Sequence, residues 1–363
     1  MFTTTTLRVR MNLRSIVIST LILTALLCGC GKDSSMRTGE GGAPISFSAG
    51  LVTHTTKALK PDDPSVLLTE GNEASLFGSR IKNDVTERIF SNRVLRCDAV
   101  PDPLTPANPY SSVWNYSPLE YWKDDGDYYF TSVFPYSDNN SQVEIEDVFY
   151  LSIPYQTGSN QDLMVARAYR DAAVSTDPVN LEFKHATSAV RFLFGKASTL
   201  DSDHYELTSF RLENLAAAGT LKIQTRLTNP AVDPISLSHW TPGTVANIAS
   251  WNASTGGGRK NIPHPAVASD PDGYMAMGWY YMVPHKLNAG AAVRFSLSYN
   301  DGEPVETVLN ISDCDGVPGA DTWIPNCVYN YYITLTQSGL DITVRAVPWD
   351  EVTVITDDVI FEG

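Results

Sequence analysis

Positive charge, cysteine and histidine are all scarce in this 363-residue chain. With 26 Lys and Arg against 41 Asp and Glu, its formal charge is −15 at pH 7. A surface that acidic argues against nucleic acid as a partner, because phosphate backbones are held by Lys and Arg. Five cysteines are too few for a disulfide-built scaffold of this length. The six histidines, at 54, 185, 204, 239, 264 and 285, include no pair at metal-ligand spacing. No G-x-S-x-G elbow occurs. Gly256-Gly-Gly-Arg-Lys260 lacks the Gly-Lys-Ser/Thr ending of a phosphate loop and reads as a loop tip. Asp270-Pro-Asp272-Gly273 and Asp313-Cys-Asp315-Gly316 start like calcium loops but lack the remaining ligand positions, and they read as turns. Nothing calls for a cofactor or a metal, and nothing points to an enzyme. The longest apolar run, Ile16 to Leu27, falls short of the roughly 20 apolar residues a membrane-spanning helix needs.

What is present begins with that run. Arg8, Arg10 and Arg14 precede it and small residues close it, the pattern of a secretory signal over residues 1–29. Leu27-Cys28-Gly29-Cys30 resembles a bacterial lipobox, which makes Cys30 the expected lipid-bearing first residue of the mature chain. Several acyl chains, at about 0.8 kcal/mol per buried methylene, suffice to hold a protein to a membrane. Loss of the three arginines takes the charge from −15 to −18. Residues 30–43 are rich in Gly and Ser without apolar periodicity, and read as a flexible tether reaching about 20 Å.

Beyond the tether the pattern is one of strands. Ile45-Ser-Phe47-Ser-Ala49, Val190-Arg-Phe192-Leu-Phe194 and Val293-Arg-Phe295-Ser-Leu297 alternate with period two, as half-buried strands do. Turn clusters such as Ser137-Asp-Asn-Asn140, Asn300-Asp-Gly302 and Ser254-Thr-Gly-Gly-Gly258 separate such runs. Amphipathic helical runs are scarce; Leu163 to Ala172 fits a short helix or a strand equally well. The expected class is all-β, built as sandwiches.

The order of landmarks is that of a known family. Ile45-Ser-Phe47-Ser-Ala49 is followed by Thr55-Thr56-Lys57-Ala58, Leu76-Phe77-Gly78 and Trp114-Asn-Tyr116-Ser-Pro118 with Tyr121-Trp122. Then come Tyr128-Tyr-Phe130 with Phe134-Pro135, Gln161-Asp-Leu163-Met164, Val179-Asn-Leu181-Glu-Phe183-Lys-His185-Ala186, and Val347-Pro-Trp349. This resembles the fimbrillin-like family of Bacteroidota, the lipoprotein-derived type V pilins and their accessory subunits. The resemblance implies two tandem transthyretin-like Greek-key β-sandwich domains, placed here at residues 44–174 and 175–363. It also implies a place in cell-surface fimbriae, with other fimbrial subunits, the outer membrane (through lipid on Cys30) and a host protein or glycan receptor as partners. In the family a trypsin-like protease removes the first strand, here about Ile45 to Thr55, and another subunit's strand fills the groove. Lys57 is the processing site this suggests and Arg37 the alternative, although the family typically carries Arg where this chain has Lys57. Val352-Thr-Val354-Ile355 and Val359-Ile-Phe361 are the candidate donor segments.

Other readings stay open beside it. The aromatics Trp114, Tyr116, Tyr121, Trp122, Tyr128 and Tyr129 fit a sandwich core or a sugar-stacking platform, so a permanently anchored fimbrial subunit and a monomeric glycan-binding lipoprotein are the alternatives. His185 in FKHATSAV reads as a hydrogen-bonded structural residue. Cys314 and Cys327 flank a Gly/Pro-containing segment able to fold back as a hairpin, and are the preferred disulfide pair in an exported protein. The alternative is that Cys97, Cys314 and Cys327 are buried thiols.

Overall fold

Alternating burial along the chain organises the fold. The computed structural model describes residues 42–51, 70–99, 112–123, 125–145, 148–157, 161–200, 204–265, 273–313 and 321–349. In chain order the strands begin with β1 (Phe47–Leu51), β2 (Glu73–Lys82), β3 (Val85–Ala99), β4 (Ser112–Asn115), β5 (Asp127–Phe134), β6 (Ser141–Ile145), β7 (Val148–Gln156), β8 (Met164–Asp171), β9 (Val179–His185) and β10 (Ser188–Lys196). They continue with β11 (Tyr205–Glu213), β12 (Leu215–Ala216), β13 (Ala218–Gln224), β14 (Trp240–Pro242), β15 (Val245–Ala246), β16 (Ala249–Asn252), β17 (Lys260–Asn261) and β18 (Met275–Met282). The last are β19 (His285–Lys286), β20 (Ala292–Tyr299), β21 (Val305–Asn310), β22 (Thr322–Trp323), β23 (Cys327–Thr336) and β24 (Gly339–Pro348). Helical structure among the described residues is limited to short 3-10 turns. The protein is all-β, of the β-sandwich kind. The ambiguous stretch from Leu163 is a strand, β8, because its β-branched and aromatic residues find a full antiparallel partner in β5.

The first body is a seven-stranded sheet in the order β1-β4-β3-β2-β5-β8-β9, closed because β1 also pairs with β9. Its inward residues form one core that includes Phe47, Phe90, Trp114, Tyr128, Phe130 and Phe183. The second body packs the sheet β18-β10-β23-β24 against β16-β11-β20-β21, with Phe192, Phe194, Phe210, Phe295 and Tyr331 between them. A third sheet, β14-β13-β7-β6, draws β7 from before and β13 from after the expected boundary at residues 174 and 175, which itself falls in the β8–β9 turn. Its Leu151, Ile153 and Leu221 share a core with Phe77, Val133 and Val165 of the first body and Val283 of the second. Strands β2 and β5 are consequently buried on both faces over most of their length, so strict alternation is lost there.

Turn chemistry sets the hairpins. Asn83 and Asp84 join β2 to β3 with φ of 50° and 62°, and Asn300 and Asp301 leave β20 with φ of 46° and 58°. Asn and Asp tolerate this left-handed region, and two consecutive positive φ values match the right-handed twist of the flanking strands.

Candidate strand-exchange groove

Alternation in Ile45-Ser-Phe47-Ser-Ala49 sends Ile45, Phe47 and Ala49 inward, exposed by 1%, 4% and 0%, while Ser46 and Ser48 face outward. The strand is held along both edges. It runs antiparallel to β4, with Phe47 opposite Trp114 and Ala49 opposite Ser112, and parallel to β9 from Phe47 opposite Val179 to Leu51 opposite Phe183. The amide of Val179 donates to the Ser46 carbonyl at 2.8 Å, and the amide of Ile45 donates to the Glu120 carbonyl at 2.9 Å. Ser48 Oγ donates to Asn180 Oδ1 at 2.6 Å, and Ser112 Oγ donates to the Ala49 carbonyl. The described strand, Phe47–Leu51, lies within the expected Ile45 to Thr55, and residues 52 to 55 lie outside the described part.

Phe47 plugs the barrel. Its ring lies 5.3 Å from that of Phe130, 5.8 Å from Tyr116 and 6.0 Å from Phe90, each in an edge-to-face arrangement. Gly78 makes room for this cluster, because a Cβ there would meet Phe90 Cδ2 at 2.6 Å and Phe130 at 3.2 Å. Tyr116 Oη donates to the Ile45 carbonyl at 2.8 Å, and burial pushes its hydroxyl pKa up, so it stays a donor at neutral pH. Without β1, Phe90, Tyr116, Phe130 and Phe183 face an open slot, and the edges of β4 and β9 lose their partners. Burying Ile45 and Phe47 contributes about 1.5–3 kcal/mol each. An extended segment with apolar residues at alternate positions supplies the same contacts and the same main-chain bonds.

Trp114, Tyr116, Trp122, Tyr128 and Tyr129 are buried, and of the six aromatics weighed as a platform only Tyr121 is exposed, at 45%. Trp122 and Tyr128 pack edge to face at 4.7 Å, and Trp114 stacks on Phe183 at 6.2 Å. These rings are core. Asp125 pairs with Arg80 at 2.7 Å and with Lys82, while Asp127 accepts from Tyr169 Oη at 2.6 Å.

His185 ends β9 and is 2% exposed. Its Nδ1 bonds Asp162 Oδ2, and Thr187 Oγ1 donates to Asp162 Oδ1 at 2.5 Å. Thr187 therefore bonds the carboxylate and not the imidazole, which is not the nucleophile–base–acid order of a catalytic triad. The Trp349 ring lies flat on the imidazole at 3.6 Å and stacks on Tyr281 at 6.0 Å. The amide of Trp349 donates to the Asn326 carbonyl, extending the β23–β24 ladder by one step, and the stack on His185 sets the end of β24 beside the end of β9. Sequence reasoning identified His185 and Trp349 separately; their contact joins strands far apart in the chain.

Ligand-type atoms of His204, Glu206 and Asp301 come within 4.8 Å of one another, but Arg259 already reaches Glu206 at 3.3 Å and Asp301 at 3.6 Å. Cys327 is buried, with Sγ directed to the Val347 carbonyl at 3.3 Å, and Cys97 is buried in the barrel core. Cys30, Arg37, Lys57, Cys314, the segments after Trp349 and most of the two calcium-like turns lie outside the described residues.

A sequence model described as fimbrillin-like matches residues 68–349. Among solved structures, a candidate cell adhesion protein of Bacteroides ovatus superposes with a TM-score of 0.51 at 14% identity, covering 85% of this chain and 98% of its own. A fimbrial protein of Bacteroides vulgatus gives 0.48 at 12% identity, covering 84% of this chain and 99% of its own. No curated protein sequence matches the chain.

Proposed function

Because this chain belongs to the fimbrillin-like family, we propose that it is a structural or adhesive subunit of cell-surface fimbriae, assembled by exchange of its first strand. The observation that carries the reading is the seating of β1, which closes the barrel through hydrogen bonds on both edges and through Ile45 and Phe47. In this scheme the chain is exported as a lipoprotein on Cys30 and reaches the outer surface. Cleavage after Lys57 in the segment following β1 then releases the anchor and opens the slot. Cleavage at Arg37 would release the lipid and leave β1 in place, so it would not open the groove. A neighbouring subunit's segment after Trp349 enters between β4 and β9. If Lys57 is never cut, the protein is an anchor that keeps its lipid.

The test compares wild type with Lys57→Ala and with a chain truncated after Trp349. Cleaved wild type should form heat-labile ladders on mildly denaturing gels, and both variants should lose them. Ladders in both variants, or a wild type that is never cleaved and always monomeric, would refute exchange through this groove. Alkyne fatty-acid labelling should tag wild type but not Cys30→Ala; labelling that survives there and is lost in Cys28→Ala moves the site to Cys28.

A further inference from the structure

The loop tip at Gly256-Gly-Gly-Arg-Lys260 has no part in the proposed strand exchange, yet it walls a hollow of the second body. β16 and β17 both pair with β11, at Ser209–Leu212 and Glu206–Leu207, and the loop between them stands off the sheet edge. A cleft of about 490 Å³ lies on one side, lined by Arg211, Ser250, Thr255, Arg294 and Glu306. A second, of about 420 Å³, is lined by Thr208, Ser254, Arg259 and Ser296. Both include Ser209 and Asn252, so they form one trough across the outer face of the sheet.

The loop is preformed. Trp251 Nε1 donates to the Gly256 carbonyl at 2.9 Å, and the Gly256 amide donates to the Asn252 carbonyl at 2.7 Å. Asn252 Oδ1 accepts from the Ser254 amide at 2.9 Å and from its hydroxyl at 2.7 Å. Gly257 and Gly258 hold φ of 94° and 90°, and no atom lies within 4 Å of where a Cβ would stand. Glycine serves conformation at these two positions. A wall set before binding removes part of the ordering cost of association.

The lining selects the ligand by charge. Arg294 Nε donates to Glu213 at 2.9 Å and its Nη1 to Glu306 at 2.5 Å, while Arg211 Nε donates to Glu213 at 2.6 Å. Arg259 is shared between Glu206 and Asp301 and also donates to Ser298 Oγ at 3.0 Å. Every guanidinium facing the trough is thus balanced by a carboxylate, which leaves no net positive charge for a phosphate or sulfate. The floor carries hydroxyls, with Ser209 Oγ donating to Ser296 Oγ at 2.8 Å, beside the half-buried Trp251 ring. Fixed fans of guanidinium donors beside carboxylate and hydroxyl acceptors suit vicinal hydroxyl groups, which both donate and accept.

We propose that this trough binds a neutral oligosaccharide, independently of the β1 groove. The probe is a panel of maltotriose, α-mannotriose, N-acetyllactosamine and chitotriose, with 3′-sialyllactose as the anionic control, read by saturation-transfer NMR on the full chain. At least one neutral sugar should show transfer. Ser209→Phe, which fills the floor, and Arg211→Ala should each weaken its affinity tenfold or more at an unchanged melting midpoint. Phe47→Ala, which loosens β1, should leave sugar affinity unaltered. No transfer from any neutral sugar at millimolar concentration overturns the proposal. So does transfer that survives both trough variants, and binding of sialyllactose alone overturns the ligand class. None of these outcomes bears on the ladders that test strand exchange.

Discussion

The two bodies of this protein begin in the same way and differ in how the outer face of the opening strand is covered. Each opens with a strand that pairs in parallel with a later one, β1 with β9 and β10 with β23. β10 has 9 residues, all buried, and keeps register with β23 from Ser188 opposite Cys327 to Lys196 opposite Leu335. In β1 the inward Phe47 and Ala49 are buried, while Ser48 on the outer face is half-buried. A long strand buried on both faces cannot leave without exposing two cores. A strand whose outer face is only partly covered exposes less. The contrast teaches that cover on the outer face distinguishes the two opening strands, since the pairing topology is shared.

That contrast can be broken by mutation. Phe192→Ala and Phe47→Ala both truncate buried rings and should each cost about 3–5 kcal/mol. The expected distribution differs. Phe192, stacked on Tyr331 at 5.0 Å, should lower the melting midpoint of the second body as a whole. Phe47→Ala should speed amide exchange chiefly in β4 and β9. Equal loosening of β23 by Phe47→Ala would show that β1 is no more separable than β10.

Trp349→Ala tests whether the end of β24 braces the end of β9. Loss of a ring stacked between His185 and Tyr281 should cost about 3 kcal/mol and increase exchange at His185 and Thr187. Unchanged exchange there would make the stack incidental. A smaller effect is expected at the barrel plug. Gly78→Ala places a methyl group 2.6 Å from Phe90 and should destabilise by about 1–3 kcal/mol, whereas Gly257→Ala meets no atom and should act only through its φ of 94°.

The smallest effect separates the bodies by pH. His285 is 4% exposed, its Nδ1 bonds the Val283 carbonyl at 2.7 Å, and burial pushes its pKa below the ordinary 6.5. The unfolded chain binds a proton at this residue more readily than the folded one. Stability is therefore full above about pH 6.5 and falls as the pH drops below it, by at most about 1.4 kcal/mol per unit. A denaturant midpoint measured from pH 7.5 to 5 should fall less steeply in His285→Gln. An identical slope in the variant would remove His285 as the cause.

Much of this was legible in the chain itself. Period-two alternation in β1, β9 and β20 marks which side chains turn inward, because successive residues of a strand face opposite sides. Landmarks such as Trp114, Phe130, His185 and Trp349 keep the family's order, and the fimbrillin-like match over 68–349 agrees with it. The scarcity of amphipathic helical runs pointed to an all-β protein, because a surface helix needs an apolar stripe to bury. Turn residues at Asn300 and Asp301 were readable because few other residues accept positive φ.

Tertiary structure decided the rest. Alternation says that Ile45 and Phe47 are buried; it does not say that they lie between β4 and β9, since pairing of distant strands depends on the shape of the whole core. Aromatic residues spaced closely in sequence fit a platform or a core equally well, and only closure of the barrel over Trp122 and Tyr128 made them core. The glycine run at 256–258 reads as punctuation in one dimension. It becomes the wall of a trough because β16 and β17 return to the same edge of β11. Sequence carries the local terms of the fold, burial period and turn conformation. The groove and the trough are made of contacts between segments far apart in the chain, and those exist only once every strand has found its partner.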